Sequence, residues 1–176
     1  MPQARYVAPV RWLHWLTAGS ILVVLVAGIW MTKFEPADEA LKLRLYNIHE
    51  SFGVAIFVMT LARLVVRWRN PPPPLPDDLP ALMKLAALAN HVALYVLLIV
   101  QPTIGFLATN AWGFPLHWFG VVPIPAPVGL NVPLAEALSL LHWLGAMAML
   151  VLLAMHIAAV VFHSFIRRDE IWDRMA

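Results

Sequence analysis

Six of the chain's seven histidines, His14, His49, His91, His142, His156 and His163, stand inside or at the edges of long apolar segments; only His117 falls in a loop. A polar ring is costly in such surroundings, and ionisable side chains at membrane depth usually face a bundle interior and mark function. Neutral imidazole is also the commonest metal ligand, so histidines on several facing helices point to a buried metal or haem. Spacing sharpens this. His156 follows His142 by fourteen residues. At about 100° per residue that is roughly 40° short of four full turns, so both rings share one helix face, ~21 Å apart along the axis.

The segments that must carry these rings are membrane-like. Of the 176 residues, 61% are hydrophobic and only 12% charged, and the mean hydropathy is +0.76, well above soluble-domain norms. With no cysteine, disulfides, thiolate haem ligation, iron–sulfur clusters and c-type haem attachment are excluded. Histidine and methionine remain as candidate haem-iron ligands. The net charge of +2 is small and forms no basic stripe, so no nucleic-acid partner is expected. The first apolar run is span-length and lacks a small-residue cleavage site, unlike a cleavable signal.

Four spans are predicted, over residues 12–31, 48–66, 85–107 and 138–165. Each has about the 20 apolar residues a helix needs to cross a bilayer core, and the fourth is long enough to tilt or project. Asn70-Pro71-Pro72-Pro73-Pro74-Leu75-Pro76 reads as a stiff extended connector. The stretch 111–133, with several prolines and three glycines beside Trp112, Trp118 and Phe119, reads as a loop lying along the interface. Basic residues cluster in the N-terminal tail (Arg5, Arg11), around the proline connector (Arg67, Arg69, Lys84) and in the C-terminal tail (Arg167, Arg168, Arg174). The first opposite loop has Lys33, Lys42 and Arg44, and the long loop has no lysine or arginine. The positive-inside rule then makes both termini cytoplasmic. The expected fold is an all-α transmembrane four-helix bundle, one domain over residues 1–176.

On this topology His49 and His142 are level near the outer face, and His14 and His156 near the inner face. Each pair is positioned to clamp one iron from two helices, giving two stacked bis-histidine haems. Gly19, Gly53, Gly105 and Gly145 lie near these levels, either admitting a flat macrocycle or allowing close helix packing. Other roles stay open at this stage. His163, seven residues past His156, is placed to contact a quinone headgroup or a haem propionate, or to snorkel to water. His91 is a substitute ligand or a hydrogen-bond donor, and His117 an interfacial loop residue. Arg63 either pairs with an inner haem propionate or snorkels outward.

Several segments together resemble the bacterial two-haem cytochrome b561 family, over nearly the whole chain. They are Arg11-Trp12-Leu13-His14-Trp15; Asn47-Ile48-His49-Glu50-Ser51-Phe52-Gly53; Ala62-Arg63-Leu64 through Arg67 into the polyproline connector; Gln101-Pro102-Thr103-Ile104-Gly105; Leu141-His142-Trp143-Leu144-Gly145; and Met155-His156-Ile157 with His163. No single motif is specific, but the order, spacing and four-span frame are. The resemblance implies two b-type haems ligated by His14, His49, His142 and His156, and an activity like that of superoxide oxidases. In that activity superoxide is oxidised at the outer haem and ubiquinone is reduced near the cytoplasmic face. His163 matches a histidine at the family's quinone site. A lysine of the family's connector also lines that site, where this chain reads Pro76-Asp77-Asp78.

The expectation is therefore a multi-pass protein of the bacterial inner membrane, a superoxide:quinone oxidoreductase whose partners are lipid, superoxide and quinone. On the outer side Lys33, Lys42 and Arg44 are interspersed with Glu35, Asp38 and Glu39, and Glu136 lies on the other loop. Lys42 and Arg44, just before His49, are placed to steer an anion. The alternative is a cytochrome b relay subunit passing electrons between quinone and a partner dehydrogenase or hydrogenase; the short termini and small loops offer little docking surface. A haem-free transporter or structural membrane protein is a third reading. Homo-oligomerisation and a redox partner subunit both remain open.

Overall fold

In a bilayer every backbone N–H and C=O must be satisfied within the protein, so long apolar runs become helices. The computed structural model describes residues 5–34, 36–76, 78–169 and 171–176; Glu35 and Asp77 lie outside the described residues. Helix α1 spans Ala8–Ile29 and widens into a π-helical turn over Trp30–Phe34. Helix α2 spans Glu39–Arg69 and α3 spans Ala81–Ala111. Helix α4 spans Val132–Val161 and ends in a π-helical turn over Phe162–Arg167. All four are long and apolar enough to cross a membrane.

The helices start where local chemistry allows. The Asp38 side chain accepts from the Ala40 N–H at 3.0 Å, and Asn131 accepts from the Leu134 N–H at 3.1 Å, each satisfying an orphan donor of a first turn. The Asp38 cap starts α2 nine residues before the predicted span. Hydropathy marks only the lipid-crossing part, whereas the segment with Lys42 and Arg44 continues as helix beyond it. The other end of α2 stops at Asn70, ahead of the prolines.

Helix α1 packs on α2, α3 on α4, and α2 on α3. Mid-bundle, Ile56, Leu94, Leu98 and Met149 form the buried cluster, with Ile21, Val24 and Met59 against it. Met149 is seven residues from both His142 and His156, so this apolar layer separates two histidine levels.

The stretch predicted as an interfacial loop contains an antiparallel hairpin, β1 (Leu116–Trp118) paired with β2 (Val122–Ile124). Three-residue strands are too short to show an alternating pattern. The turn depends on positive φ at Phe119 (49°) and Gly120 (74°), the conformation of tight hairpin turns. The hairpin closes over the start of α2. Ser51 Oγ accepts from the Phe119 N–H at 2.7 Å, Trp118 Nε1 donates to the Ser51 carbonyl at 3.0 Å, and Asn47 Nδ2 donates to the His117 carbonyl at 2.8 Å.

The opposite end is closed by residues 171–176. Trp15 Nε1 donates to the Met175 carbonyl at 2.9 Å, Arg11 bonds the Ala176 carbonyl, and Arg174 Nη1 donates to the Pro74 carbonyl at 2.7 Å. These bonds tie the first turns of α1 to the proline connector.

Candidate electron-transfer site

At the hairpin end, His49 of α2 faces His142 of α4 with ring centroids 6.0 Å apart. At the connector end, His14 of α1 faces His156 of α4 at 6.2 Å. The structure thus brings together the two pairs expected from spacing. Two imidazoles each bound through a ring nitrogen at about 2 Å to one metal stand with centroids roughly 6 Å apart. Both pairs have that separation. His91 of α3 also meets His156, at 5.4 Å, closer than such an arrangement requires. The match in spacing favours His14 over His91 as the partner of His156.

Each histidine at the hairpin end is held by the helix beside it. His49 Nδ1–H donates to the Val24 carbonyl at 2.9 Å, and His142 Nδ1–H to the Gln101 carbonyl at 3.2 Å. Bonding at Nδ1 fixes the tautomer and leaves Nε2 with its lone pair, the state a metal-ligating histidine needs. Glycines make the approach short. A Cβ on Gly28, four residues after Val24, would lie 3.2 Å from His49 Cε1; one on Gly105, four after Gln101, would lie 2.8 Å from His142 Cε1. The same device, a carbonyl acceptor with glycine one turn on, is used on α1 and on α3.

Gln101 does more. Its side-chain Nε2 donates to the His142 carbonyl, and Gly145 leaves room for that amide, which an added Cβ would strike. Gly105 and Gly145 therefore serve close packing of α3 against α4. Gly19 and Gly53 differ: a Cβ at either would meet nothing within 4 Å, which leaves space beside each histidine level.

His163 is removed from both pairs, on the π-helical end of α4. Its Nδ1 bonds Asp169 Oδ2 at 2.6 Å, with side chains 14% and 12% exposed. Arg167 Nε also bonds Asp169 Oδ2, at 2.8 Å, while its Nη2 reaches Asp78 at 2.5 Å. The ring is therefore anchored rather than snorkelling freely. The other half of the connector feature, Asp77, lies outside the described residues. On another face of the same turn, a cleft of about 650 Å³ that His163 does not line has apolar walls from Ile157, Val161 and Phe165 and polar edges from Ser164, Arg168 and Trp172. Ser164 Oγ is buried with no hydrogen-bond partner among the described residues. Arg63, for which snorkelling was the alternative, is only 9% exposed. His117 sits on β1, exposed at the hairpin edge.

A family model described as prokaryotic cytochrome b561 matches residues 5–176. The chain belongs to the prokaryotic cytochrome b561 family. It is 32% identical over 163 residues to cytochrome b561 homolog 2 of Escherichia coli, covering 92% of this chain and 86% of that protein. It is 30% identical over 166 residues to the probable superoxide oxidase CybB of Yersinia pestis, covering 93% and 90%. Cytochrome b561 homolog 1 of Escherichia coli is 25% identical over 166 residues, covering 93% and 92%.

Membership in the cytochrome b561 family makes this a multi-pass bacterial membrane protein of electron transfer, and it implies b-type haem. The donor set fits that group. Among the described residues no three or more His, Asp or Glu side chains are grouped to hold a bare metal ion. Opposed imidazole pairs suit an iron whose remaining ligands come from a macrocycle. Val24, Gly28 and Asp169 were not singled out from sequence. The repeated interval of four residues between carbonyl and glycine is visible there only once the histidines are known to lie opposite.

Proposed function

We propose that the chain is a single-domain di-haem cytochrome of the bacterial inner membrane that transfers electrons from superoxide at the periplasmic face to ubiquinone near the cytoplasmic face. His49 and His142 are the axial ligands at the hairpin end, taken as periplasmic, and His14 and His156 those at the connector end, with both termini cytoplasmic. The observation carrying this reading is the pair of matched ring separations at two levels of α4. Bound haem supplies the one-electron chemistry, its potential tuned by axial ligands and burial.

The protein's own groups do the rest. Each superoxide oxidised to dioxygen releases one electron; two electrons and two cytoplasmic protons convert one quinone to quinol. His163, oriented by Asp169, is the proton donor to the quinone at the connector end of α4, and the cleft by Ser164 and Arg168 on the neighbouring face receives the quinone's tail. The apolar walls of that cleft suit an isoprenoid substrate. On the periplasmic side Lys42 and Arg44 draw the anion toward His49. The similarity to a probable superoxide oxidase supports the choice of donor.

The test is the visible spectrum of the purified, oxidised protein after superoxide is added, with and without ubiquinone. Reduced b-type bands that form rapidly and bleach with quinone are expected. Bands indifferent to superoxide but responsive to quinol would replace this reading with the relay subunit. A preparation without haem bands would remove it altogether.

A further inference from the structure

Arg63 lies inside α2, 9% exposed, in a helix long and apolar enough to span the membrane. A buried charge without a counter-charge costs several kcal/mol, so such groups are paired. Yet Arg63 makes no ion pair among the described residues, and its Nε is buried without an acceptor. Its guanidinium carbon stands 5.3 Å from the centroid of the Tyr95 ring on α3, and that of Arg67 stands 5.7 Å from the same ring. Tyr95 Oη is likewise buried without a partner. Among the described residues, two cations and two donors without partners thus converge with no anion beside them. A cleft of about 380 Å³ opens beside Arg67 and Tyr95, with His91 and the apolar Leu64, Leu88 and Val92 in its walls and Arg63 outside its lining. Arg63 is also within electrostatic reach of His14, His91 and His156.

We infer that Arg63, Arg67 and Tyr95 form a carboxylate-binding site that anchors a propionate of the haem held by His14 and His156. The inference rests on the two-haem reading proposed above. Arg63 and Tyr95 supply charge-assisted hydrogen bonds to the carboxylate, with Arg67 adding positive charge across the Tyr95 ring. The site also raises the reduction potential at that level, because fixed positive charge favours the state with the extra electron. A lipid phosphate is the other anion with this chemistry.

The experiment compares wild type with Arg63→Gln, Arg63→Lys and Tyr95→Phe by haem content, haem transfer to excess apomyoglobin, and spectroelectrochemical titration. Arg63→Gln is expected to speed loss of one of the two haems roughly tenfold or more, the effect of losing a hydrogen bond to a charged group, and to lower the potential of that haem alone. Arg63→Lys is expected to keep the potential nearer wild type, and Tyr95→Phe to show a smaller loss. The haem at His49 and His142 is the control for folding in each variant. Unchanged haem loss and potentials in Arg63→Gln would overturn the inference, as would unchanged haem with less co-purified lipid phosphate, the result of a lipid site. In a parallel His14→Ala sample, retention of both haems would overturn it through the ligand assignment instead.

Discussion

His49 and Arg63 lie fourteen residues apart on one face of α2, the interval that separates His142 from His156 on α4. Helix α4 thus offers an imidazole at both levels, whereas α2 offers an imidazole at one and a buried guanidinium at the other. The histidine that completes the second level comes from α1, as His14. The two levels are therefore chemically unequal, one flanked by backbone carbonyl acceptors and the other by cations. Under the two-haem function proposed above, such unequal surroundings would give the two sites different potentials and direct an electron across the membrane.

Replacing one ligand of a pair should empty one level only. His49→Ala or His142→Ala is expected to reduce the haem content from two per chain to one, as is His14→Ala or His156→Ala, with a different spectral component surviving in each set. Pyridine haemochrome assay and low-temperature spectra check this. Loss of both haems from every variant would mean that the levels do not load independently.

The glycines beneath the rings make a graded prediction. At Gly105 an added Cβ would lie 2.8 Å from His142 Cε1, and at Gly28 it would lie 3.2 Å from His49 Cε1. Gly105→Ala should therefore be the more disruptive, destabilising the hairpin-end level by about 1–3 kcal/mol, the usual range for overpacking. Thermal loss of the haem absorbance measures it, and equal midpoints for the two variants would contradict the close approach at Gly105.

Asp169 holds His163 through its Nδ1. His163→Ala is expected to slow quinone reduction on the order of 10²-fold, the lower range for a general acid, with both haem spectra intact. Asp169→Asn should lower kcat by less, while haem reduction by superoxide stays at the wild-type rate. Quinone kinetics unchanged in both variants would remove His163 from the proton path.

Electrostatic steering predicts a salt effect. Lys42→Gln with Arg44→Gln should lower the second-order rate of superoxide oxidation and flatten its dependence on ionic strength, because an anion is captured faster by a positive approach that salt screens. Stopped-flow traces at several salt concentrations read this directly. A rate independent of both substitutions would place the entrance elsewhere.

The four spans and the spacing along α4 were legible in the sequence because hydropathy and helical periodicity are local properties. That His142 and His156 share a face follows from 3.6 residues per turn alone. The chain's hydropathy likewise separates lipid-crossing segments from connectors, although not the helix ends: the Asp38 cap carries α2 well beyond its apolar part. The hairpin over Ser51 escaped because two three-residue strands are specified by a turn and by contacts with α2, not by pattern.

Only the tertiary structure decided what stands between the helices. It set the ring separations of 6.0 and 6.2 Å, brought His91 to His156, and laid His142 over Gly105. It also kept Arg63 inside, where the sequence allowed it to reach water. Periodicity fixes which residues share a face of one helix. The rotation and depth of each helix against its neighbours depend on side-chain packing across the bundle, and that packing joins residues more than a hundred positions apart in the chain.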